Sequence, residues 1–491
     1  MGVMALGMLI PAVHALAYER FLEARSFFYA SVLGLFAMTI ITITTSGRPR
    51  RSRGGLTDLL ALFAAFAVLP IFLAWPFYEA LRTTFFINAY FEMVSALTTT
   101  GATMFAPERL SDTLHLWRGM VGWFGGLIMW VAAVAILAPL NLGGFEVTAS
   151  AEPGQGGTPS ERYETSGVNR RLQRALHALL PVYGGLTAVI WLCLIILGDR
   201  AEVALIHAMS TMATSGISPL GGVEQAGSGL AGEAVIFLFM FFALSRLTFS
   251  SDTLTGVRPG LLNDPEFRIG LLIIVGVPLL LFARHWIGAF ELDDEENVYA
   301  AGRALWGSIF TVMSFLTTTG FESAGWEDTR NWSGLGTPGM ILLGVALIGG
   351  GVATTAGGVK LLRVYALYLN GLREMEKLVH PSSVGRASSA SRRIRRQGAF
   401  VAWIFFMLFA FSLVAVTTLF TLTGVDFENA LVLAIASLST CGPLVTAGAE
   451  DPIALAMLSD SAKLVFSAAS VLGRLETLAI IALFNPALWR E

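Results

Sequence analysis

Long apolar runs separated by short polar connections dominate the pattern of hydrophobic and polar positions along this chain. Most of these runs approach the ~20 apolar residues that an α-helix needs to cross a bilayer. They lie near 27–45, 56–76, 119–140, 178–198, 234–250, 269–288, 336–348, 400–424 and 463–485. The opening stretch, Gly2 to Ala17, is shorter. Because no Lys or Arg precedes it, we interpret it as a first spanning helix in preference to a signal peptide.

Four shorter apolar segments interrupt this pattern, near 85–97, 202–213, 304–316 and 427–438. They are too short to cross a bilayer and predict re-entrant helices. Each leads into a loop rich in small polar residues that ends in glycine. In chain order these first to fourth loops are Thr98-Thr99-Thr100-Gly101, Ala213-Thr214-Ser215-Gly216, Thr317-Thr318-Thr319-Gly320 and Ser439-Thr440-Cys441-Gly442. Their glycines are spaced by 115, 104 and 122 residues, which indicates a fourfold internal repeat.

The repeat predicts an all-α membrane protein with about ten transmembrane helices around a central ion pore. Two leading helices occupy residues 1–53. Four helix–pore-loop–helix units follow at 54–150, at 151–262 (with a preceding cytoplasmic loop), at 263–385 and at 386–491. Non-helical backbone survives at membrane depth only inside protein or beside water. Four such loops therefore imply a shared polar axis.

The four loops have the chemistry of a filter for monovalent cations. Rings of backbone carbonyls replace the water around a desolvated cation, and glycine permits the backbone angles that turn carbonyls inward. A half-helix that ends at the loop also directs its partial negative charge at the ion. No loop carries an acidic side chain, which argues against a carboxylate ring for divalent cations. Thr/Ser-Gly segments also occur as polar contacts between helices, an explanation that suits one loop but not four in the same context.

A glycine-rich segment in the third unit is a candidate gate. It interrupts a helical stretch from about 336 to 370, and each glycine costs a helix interior roughly 1 kcal/mol relative to alanine. The residues assigned to the gate are Gly349, Gly350, Gly351, Thr354, Thr355, Gly357, Gly358 and, in the last apolar run, Arg474. A charge at that depth normally faces a cavity or a partner. The alternatives are close helix packing for the segment and a buried pair with a carboxylate for Arg474.

Composition and charge agree with a membrane protein and exclude other classes. Of 491 residues only 14% are charged, against about 25% in soluble domains. Basic clusters at 48–53, 162–174, 258–268 and 360–396 predict the cytoplasmic side and place both termini there. The sequence has no phosphate-binding loop and no cluster of metal-ligating side chains, so we expect neither an enzyme nor an organic cofactor. The net charge of −3 gives no sign of a nucleic-acid partner.

With these residues the chain resembles the Trk/Ktr/HKT superfamily of cation transporters, and most closely its TrkH-type potassium uptake proteins. The resemblance covers nearly the whole chain. Besides the four loops, it rests on Trp117-Arg118-Gly119, Trp123-Phe124-Gly125-Gly126, the segment 349–360, His380-Pro381 and Gly473-Arg474-Leu475-Glu476. The second and fourth loops, with the run 214–218 and Thr440-Cys441, depart from the commonest family pattern.

The resemblance implies potassium uptake across the bacterial cytoplasmic (inner) membrane. Carbonyls of the four loops would bind the potassium ion, Gly101 would favour potassium over sodium, and the segment 349–358 with Arg474 would gate the pore. It further implies a homodimer in membrane lipid with one pore in each protomer, and a cytosolic TrkA-type nucleotide-binding regulatory subunit docked on the basic connection 360–398. A sodium or poorly selective monovalent cation transporter and a proton-coupled symporter remain as alternatives.

Overall fold

The computed structural model describes residues 1–46, 55–140, 142, 168–245, 264–288, 297–334, 339–380, 396–449 and 451–475. Within these ranges the secondary structure is entirely helical. The predicted all-α class is therefore confirmed. The basic cluster 48–53, residues 162–167, 258–263 and 381–395 of the other basic clusters, and Glu476 lie outside the described residues.

The helices fall into a leading group followed by four similar groups. In chain order they are α1 (Gly2–Gly7), α2 (Leu9–Ala17), α3 (Phe21–Ser46), α4 (Gly55–Ala67), α5 (Leu69–Leu81), α6 (Phe86–Leu97), α7 (Asp112–Ala132), α8 (Val168–Ile196), α9 (Ala201–Ala213), α10 (Gly229–Met240), α11 (Pro265–Gly288), α12 (Asn297–Leu316), α13 (Trp326–Ser333), α14 (Gly339–Ile348), α15 (Leu361–Val379), α16 (Arg396–Leu422), α17 (Phe427–Leu438), α18 (Leu444–Ala447) and α19 (Asp460–Leu475). A π-helical turn at Ala133–Leu137 extends α7, and short 3₁₀ turns lie at Pro107–Arg109, Phe241–Ala243 and Leu455–Met457.

In the part of the chain that the structure describes, six helical stretches are long and apolar enough to cross a membrane. They are Phe21–Thr45, Thr57–Leu81, Asp112–Leu137, Arg170–Ile196, Pro265–Arg284 and Gly398–Leu422. The other apolar runs form shorter helices within the described residues. The opening run breaks into α1 and α2 at Met8, and α14 ends at Ile348, where the glycine-rich segment begins.

Burial separates central helices from peripheral ones. The Asp112–Leu137 stretch is 78% buried inside the protein, whereas Phe21–Thr45 and Arg170–Ile196 are each 22% buried. The peripheral helices expose large apolar side chains, such as Phe36 on α3 and Phe411 on α16. Such apolar surface is stable in contact with lipid and not with water.

The four half-length helices are α6, α9, α12 and α17, and three of them match their expected bounds within a residue. The exception is α12, which begins at Asn297 instead of near 304. Its additional turns are held by the neighbouring helix α13: Arg303 pairs with Asp328 at 2.9 Å, and the Thr329 hydroxyl donates to the Ala304 carbonyl at 2.7 Å. A search for apolar residues alone misses such polar turns.

Packing between the groups is cyclic. In each group, one helix that comes after the loop packs against the half-length helix of the next group: α7 against α9, α10 against α12, α14 against α17, and α19 back against α6. This order brings the last group into contact with the first. The four half-length helices therefore converge on one region of the molecule.

Candidate ion filter and gate

Each half-length helix ends in the same hydrogen-bonded turn. In every loop the N–H of the residue before the glycine donates to the carbonyl five positions earlier, at 2.8 to 3.0 Å; these pairs are Thr100–Ser95, Ser215–Ser210, Thr319–Ser314 and Cys441–Ala436. The preceding residue is left-handed, with φ between +50° and +55°, at Thr99, Thr214, Thr318 and Thr440. This is the Schellman arrangement of a helix C-terminus. The four loops thus share one conformation despite their different sequences.

Adjacent loops contact each other in a closed order, first to second to third to fourth to first. A Cβ at Gly101 would lie 1.7 Å from the Ser215 carbonyl oxygen, a Cβ at Gly216 would lie 2.3 Å from the Thr319 carbonyl oxygen, and a Cβ at Gly320 would lie 2.6 Å from the Pro443 ring. The ring closes where the Gly442 N–H donates to the Thr100 carbonyl at 2.6 Å. All sixteen predicted loop residues except the half-buried Gly216 are buried. The structure therefore brings the four predicted loops together.

Hydroxyl groups hold the loops from behind. In the first and third loops the first and third residues bond to each other, Thr98 to Thr100 at 2.8 Å and Thr317 to Thr319 at 3.0 Å. The second loop has Ala213 in place of the first hydroxyl, and Ser215 instead contacts the hydroxyl of Ser210 at 3.1 Å. The Ser210 hydroxyl therefore takes the place of the hydroxyl that is missing at Ala213.

The glycine-rich segment (residues 349–360) is non-helical, buried, and lies directly against this ring. The Gly357 N–H donates to the Thr318 hydroxyl at 2.7 Å, and the Thr214 hydroxyl donates to that of Thr355 at 3.0 Å. A Cβ at Gly357 would lie 2.0 Å from the Ser439 carbonyl oxygen, so only glycine fits there. The segment thus touches the second, third and fourth loops.

Arg474 holds the same segment from the last helix. Its Nη1 donates to the Thr355 carbonyl at 2.5 Å, and the side chain is buried. Its Nε and Nη2 have no hydrogen-bond partner within the described residues. Arg474 thus lies next to the segment, as the sequence led us to expect, and it contacts a backbone carbonyl there.

Glu266, which the sequence reasoning missed, anchors the other side of the segment. Its buried carboxylate at the start of α11 accepts the Val352 N–H at 2.9 Å. Beside it the Gly351 N–H donates to the Ala243 carbonyl at 2.9 Å, and the Lys360 ammonium donates to the Ala356 carbonyl. A single acidic residue beside an apolar run gives no local signal of such a contact.

Two further missed carboxylates fix the backbone that follows the loops. Glu92 on α6 pairs with Arg118 at 2.6 Å and accepts the Met104 N–H at 3.3 Å. Glu233 on α10 accepts bonds from Trp306 Nε1, the Ser323 hydroxyl and the Ala324 N–H. Both glutamates lie in short apolar helices, where a charge is costly without a partner. A glutamate in such a helix therefore predicts a buried partner, and this was the sequence signal by which the two residues could have been found.

Acidic groups also gather in the connections after the second and third loops. Burial raises the pKa of Glu322 to about 7; Glu224 adds to this rise and Arg330 opposes it. Burial also raises the pKa of Glu224, with contributions from Glu233 and Glu327. The Glu322 carboxyl therefore carries its full negative charge only above neutral pH.

An all-α protein with six apolar spans and a closed ring of buried loops belongs to the class of multi-pass membrane transport proteins. The model of the family described as TrkH, cation transport protein, matches residues 234–490. The Trk system potassium uptake protein TrkH of Salmonella typhimurium is 30% identical over 407 residues, which are 82% of this chain and 80% of that protein. This chain belongs to the TrkH family of cation transport proteins, which are transporters and not enzymes.

Further relatives extend the similarity over the whole chain. The Trk system potassium uptake protein TrkI of Halomonas elongata is 29% identical over 504 aligned positions, covering 100% of this chain and 95% of that protein. The crystal structure of the potassium transporter TrkH from Vibrio parahaemolyticus matches with a TM-score of 0.81 and 26% identity, over 100% of this chain and 97% of that one. The family resemblance inferred from the sequence is confirmed.

Proposed function

We propose that this chain takes up potassium ions through a filter formed by the backbone carbonyls of its four loops. The observation that carries the proposal is the closed ring of four loops with one shared backbone conformation. Similar proteins are named potassium uptake proteins and a potassium transporter, which supports potassium as the ion. The filter ligands would come from residues 98–101, 213–216, 317–320 and 439–442.

The electrostatics of the ring support a monovalent cation. Four helix C-termini end at the loops, and each contributes a partial negative charge of about half an elementary charge. No acidic side chain belongs to the loops themselves. Partial charges of this size favour a monovalent ion without the strong retention that a ring of full charges would cause.

The glycine-rich segment and Arg474 act in this proposal as the gate. The segment contacts three loops from one side, and Arg474 bonds to it. The guanidinium places a positive charge next to the path of the cation, which opposes conduction until the segment moves. Hydrogen bonds at Gly351, Val352, Thr355 and Gly357 join the segment to neighbouring helices and loops, and these bonds must break when it moves.

The remaining features are also part of the proposal. The unit boundaries at 53, 150, 262 and 385 follow from the repeat, and the cytoplasmic termini follow from the basic clusters. The location in a bacterial cytoplasmic membrane follows from the family resemblance. Homodimerisation, and control by a TrkA-type nucleotide-binding subunit that docks on the connection 360–398, follow from family membership. The cationic Arg373 and Lys377 near the end of α15 support a cytoplasmic position for that helix.

The test is ion flux into proteoliposomes that contain the purified chain. We expect tracer potassium uptake driven by an inside-negative potential, and little sodium uptake under the same potential. Equal sodium uptake would establish the poorly selective alternative, and uptake that requires an imposed proton gradient would establish the symporter. Absence of potassium flux above that of protein-free liposomes would refute the proposal.

A further inference from the structure

The second residue of each of the four loops is a threonine with a left-handed backbone, and this conformation is more strained than a helix end requires. The position they occupy is usually glycine, and a β-branched residue with φ near +50° is a genuine conformational outlier. Thr99, Thr214, Thr318 and Thr440 all adopt it. Such strain costs of order 1–3 kcal/mol per residue and persists where the surroundings impose it. Its fourfold occurrence points to a use for the threonine side chain that glycine cannot supply.

Three of the four hydroxyls contact the glycine-rich segment. Thr318 accepts the Gly357 N–H at 2.7 Å, and Thr214 donates to the Thr355 hydroxyl at 3.0 Å. The hydroxyl oxygen of Thr440 would lie 2.4 Å from a Cβ on Gly357. These hydroxyls therefore lie at the end of the ring that the segment covers.

The hydroxyls of Thr99 and Thr440 are buried, with side chains 0% and 1% exposed, and neither has a hydrogen-bond partner in the part of the chain that the structure describes. A buried hydroxyl without a partner costs about 1–3 kcal/mol. The ring of hydroxyls thus has two members engaged by hydrogen bonds to the segment and two that are unsatisfied.

We infer that the four threonine hydroxyls form an inner potassium site, and that the glycine-rich segment competes with the ion for two of them. This inference rests on the proposed filter. When the segment moves away, Thr214 and Thr318 lose their bonds to it, and Thr214 keeps its hydrogen bond to the Ala213 carbonyl. The four hydroxyl oxygens can then direct their lone pairs at one ion. An ion that binds only when the segment is displaced must favour that displaced state. Potassium therefore promotes opening of its own gate.

Arg474 acts in the same direction. Its guanidinium bonds to the Thr355 carbonyl, so in the covered state a positive charge lies at the residue whose side chain engages Thr214. A cation in the hydroxyl ring would repel that guanidinium and weaken its hold on the segment. Ion binding and segment closure are then mutually exclusive for both steric and electrostatic reasons.

The test is hydrogen–deuterium exchange of the peptide that covers residues 349–360, measured on the unmodified chain in lipid nanodiscs. We expect exchange of its buried amides to be about tenfold faster in potassium chloride than in choline chloride, which corresponds to a shift of about 1.4 kcal/mol in the opening equilibrium. Thr318→Val removes the shared hydroxyl and should reduce the dependence on potassium. Thr318→Ser, which keeps the hydroxyl, should restore it.

Thr329→Val is the matched control, because the buried Thr329 hydroxyl lies outside the loops and the glycine-rich segment and donates to the Ala304 and Gly325 carbonyls. It should retain the response to potassium. Exchange that is equal in the two salts would overturn the inference, as would an identical response of Thr329→Val and Thr318→Val. If potassium flux into proteoliposomes persists in either case, the proposed function stands and the competition alone fails. If flux is absent, the proposed function itself fails.

Discussion

Gly101 shows how closely a single position in the ring is constrained. Its φ of +75° is accessible to glycine, and a Cβ there would lie 1.7 Å from the Ser215 carbonyl oxygen. That oxygen belongs to the neighbouring loop. A side chain at Gly101 therefore moves a filter carbonyl in another repeat as well as straining its own backbone.

Replacement of Gly101 by serine should weaken the discrimination between potassium and sodium by about tenfold, or about 1.4 kcal/mol, because the Ser215 carbonyl must move. Relative uptake of the two ions in proteoliposomes measures this ratio. Gly184→Ser is the matched control, since a Cβ at Gly184 meets no atom within 4 Å. An unchanged ratio in Gly101→Ser would contradict the role assigned to this glycine.

The Glu92–Arg118 pair should contribute more to stability than any exposed pair. The two side chains are 1% and 4% exposed, and removal of one partner from a buried pair costs about 3–5 kcal/mol. We therefore expect Glu92→Gln to lower the thermal unfolding temperature of the protein in detergent by a readily measurable amount. Asp328→Asn breaks the Arg303–Asp328 pair, which is 38% and 36% exposed, and should cost less than about 1 kcal/mol. Equal decreases in unfolding temperature for the two variants would show that burial does not determine how much the Glu92–Arg118 pair contributes to stability.

The glycine-rich segment between α14 and α15 is held in place by contacts from distant parts of the chain. Its backbone bonds to groups from α11, from the third loop and from α19. Loss of one of these bonds should change how easily the segment moves. The other bonds should keep the fold intact.

Arg474→Gln should increase basal potassium flux severalfold, because it removes the cationic charge beside the path and weakens the bond to the Thr355 carbonyl. Tracer uptake in proteoliposomes without any added partner measures it. Ser467→Ala on the same helix is the control, since the Ser467 hydroxyl donates to the Lys463 carbonyl within its own helix. A decrease in flux for Arg474→Gln, with normal folding, would mean that the arginine assists conduction instead of opposing it.

The sequence predicted the elements that depend on local pattern and missed those that depend on distant contacts. The half-length helices α6, α9 and α17 and the loops they lead into follow from apolar length and terminal glycine. The early start of α12 could not be predicted in this way, because Arg303 and Asp328 meet only when α12 and α13 pack together. Glu266 was missed for the same reason: its partner, the Val352 N–H, is 86 residues away in the chain. Pairing across such distances is set by the tertiary fold and not by the residues nearby.

In the molecule as a whole, closure of the ring depends on contacts between the first and fourth repeats. Lys463 on α19 donates to the Asn88 side chain on α6 at 3.0 Å, and the rings of Phe91 and Phe466 lie 5.1 Å apart. These contacts join residues that are more than 370 positions apart in the chain. They align α6 with the last helix and so support the Gly442–Thr100 bond.

Lys463→Met should lower the thermal unfolding temperature and also reduce selectivity for potassium, because the first loop is less firmly held against the fourth. Loss of a buried hydrogen bond of this kind costs about 1–3 kcal/mol. Lys377→Met, which removes a pair with Glu374 that is 40% and 56% exposed, is the control and should leave both quantities unchanged. A loss of stability with full selectivity would separate closure of the bundle from the shape of the ring.

Because the four loops are encoded in one chain and differ in sequence, a point mutation changes the sequence of one loop and leaves the other three sequences as they are. In an assembly of four identical subunits the same mutation would occur four times at once. A lineage carrying this protein can therefore adjust ion preference in small increments, through substitutions in one loop at a time. Ala213 and Cys441, which stand where other loops have hydroxyls, show that such stepwise divergence is compatible with a common backbone.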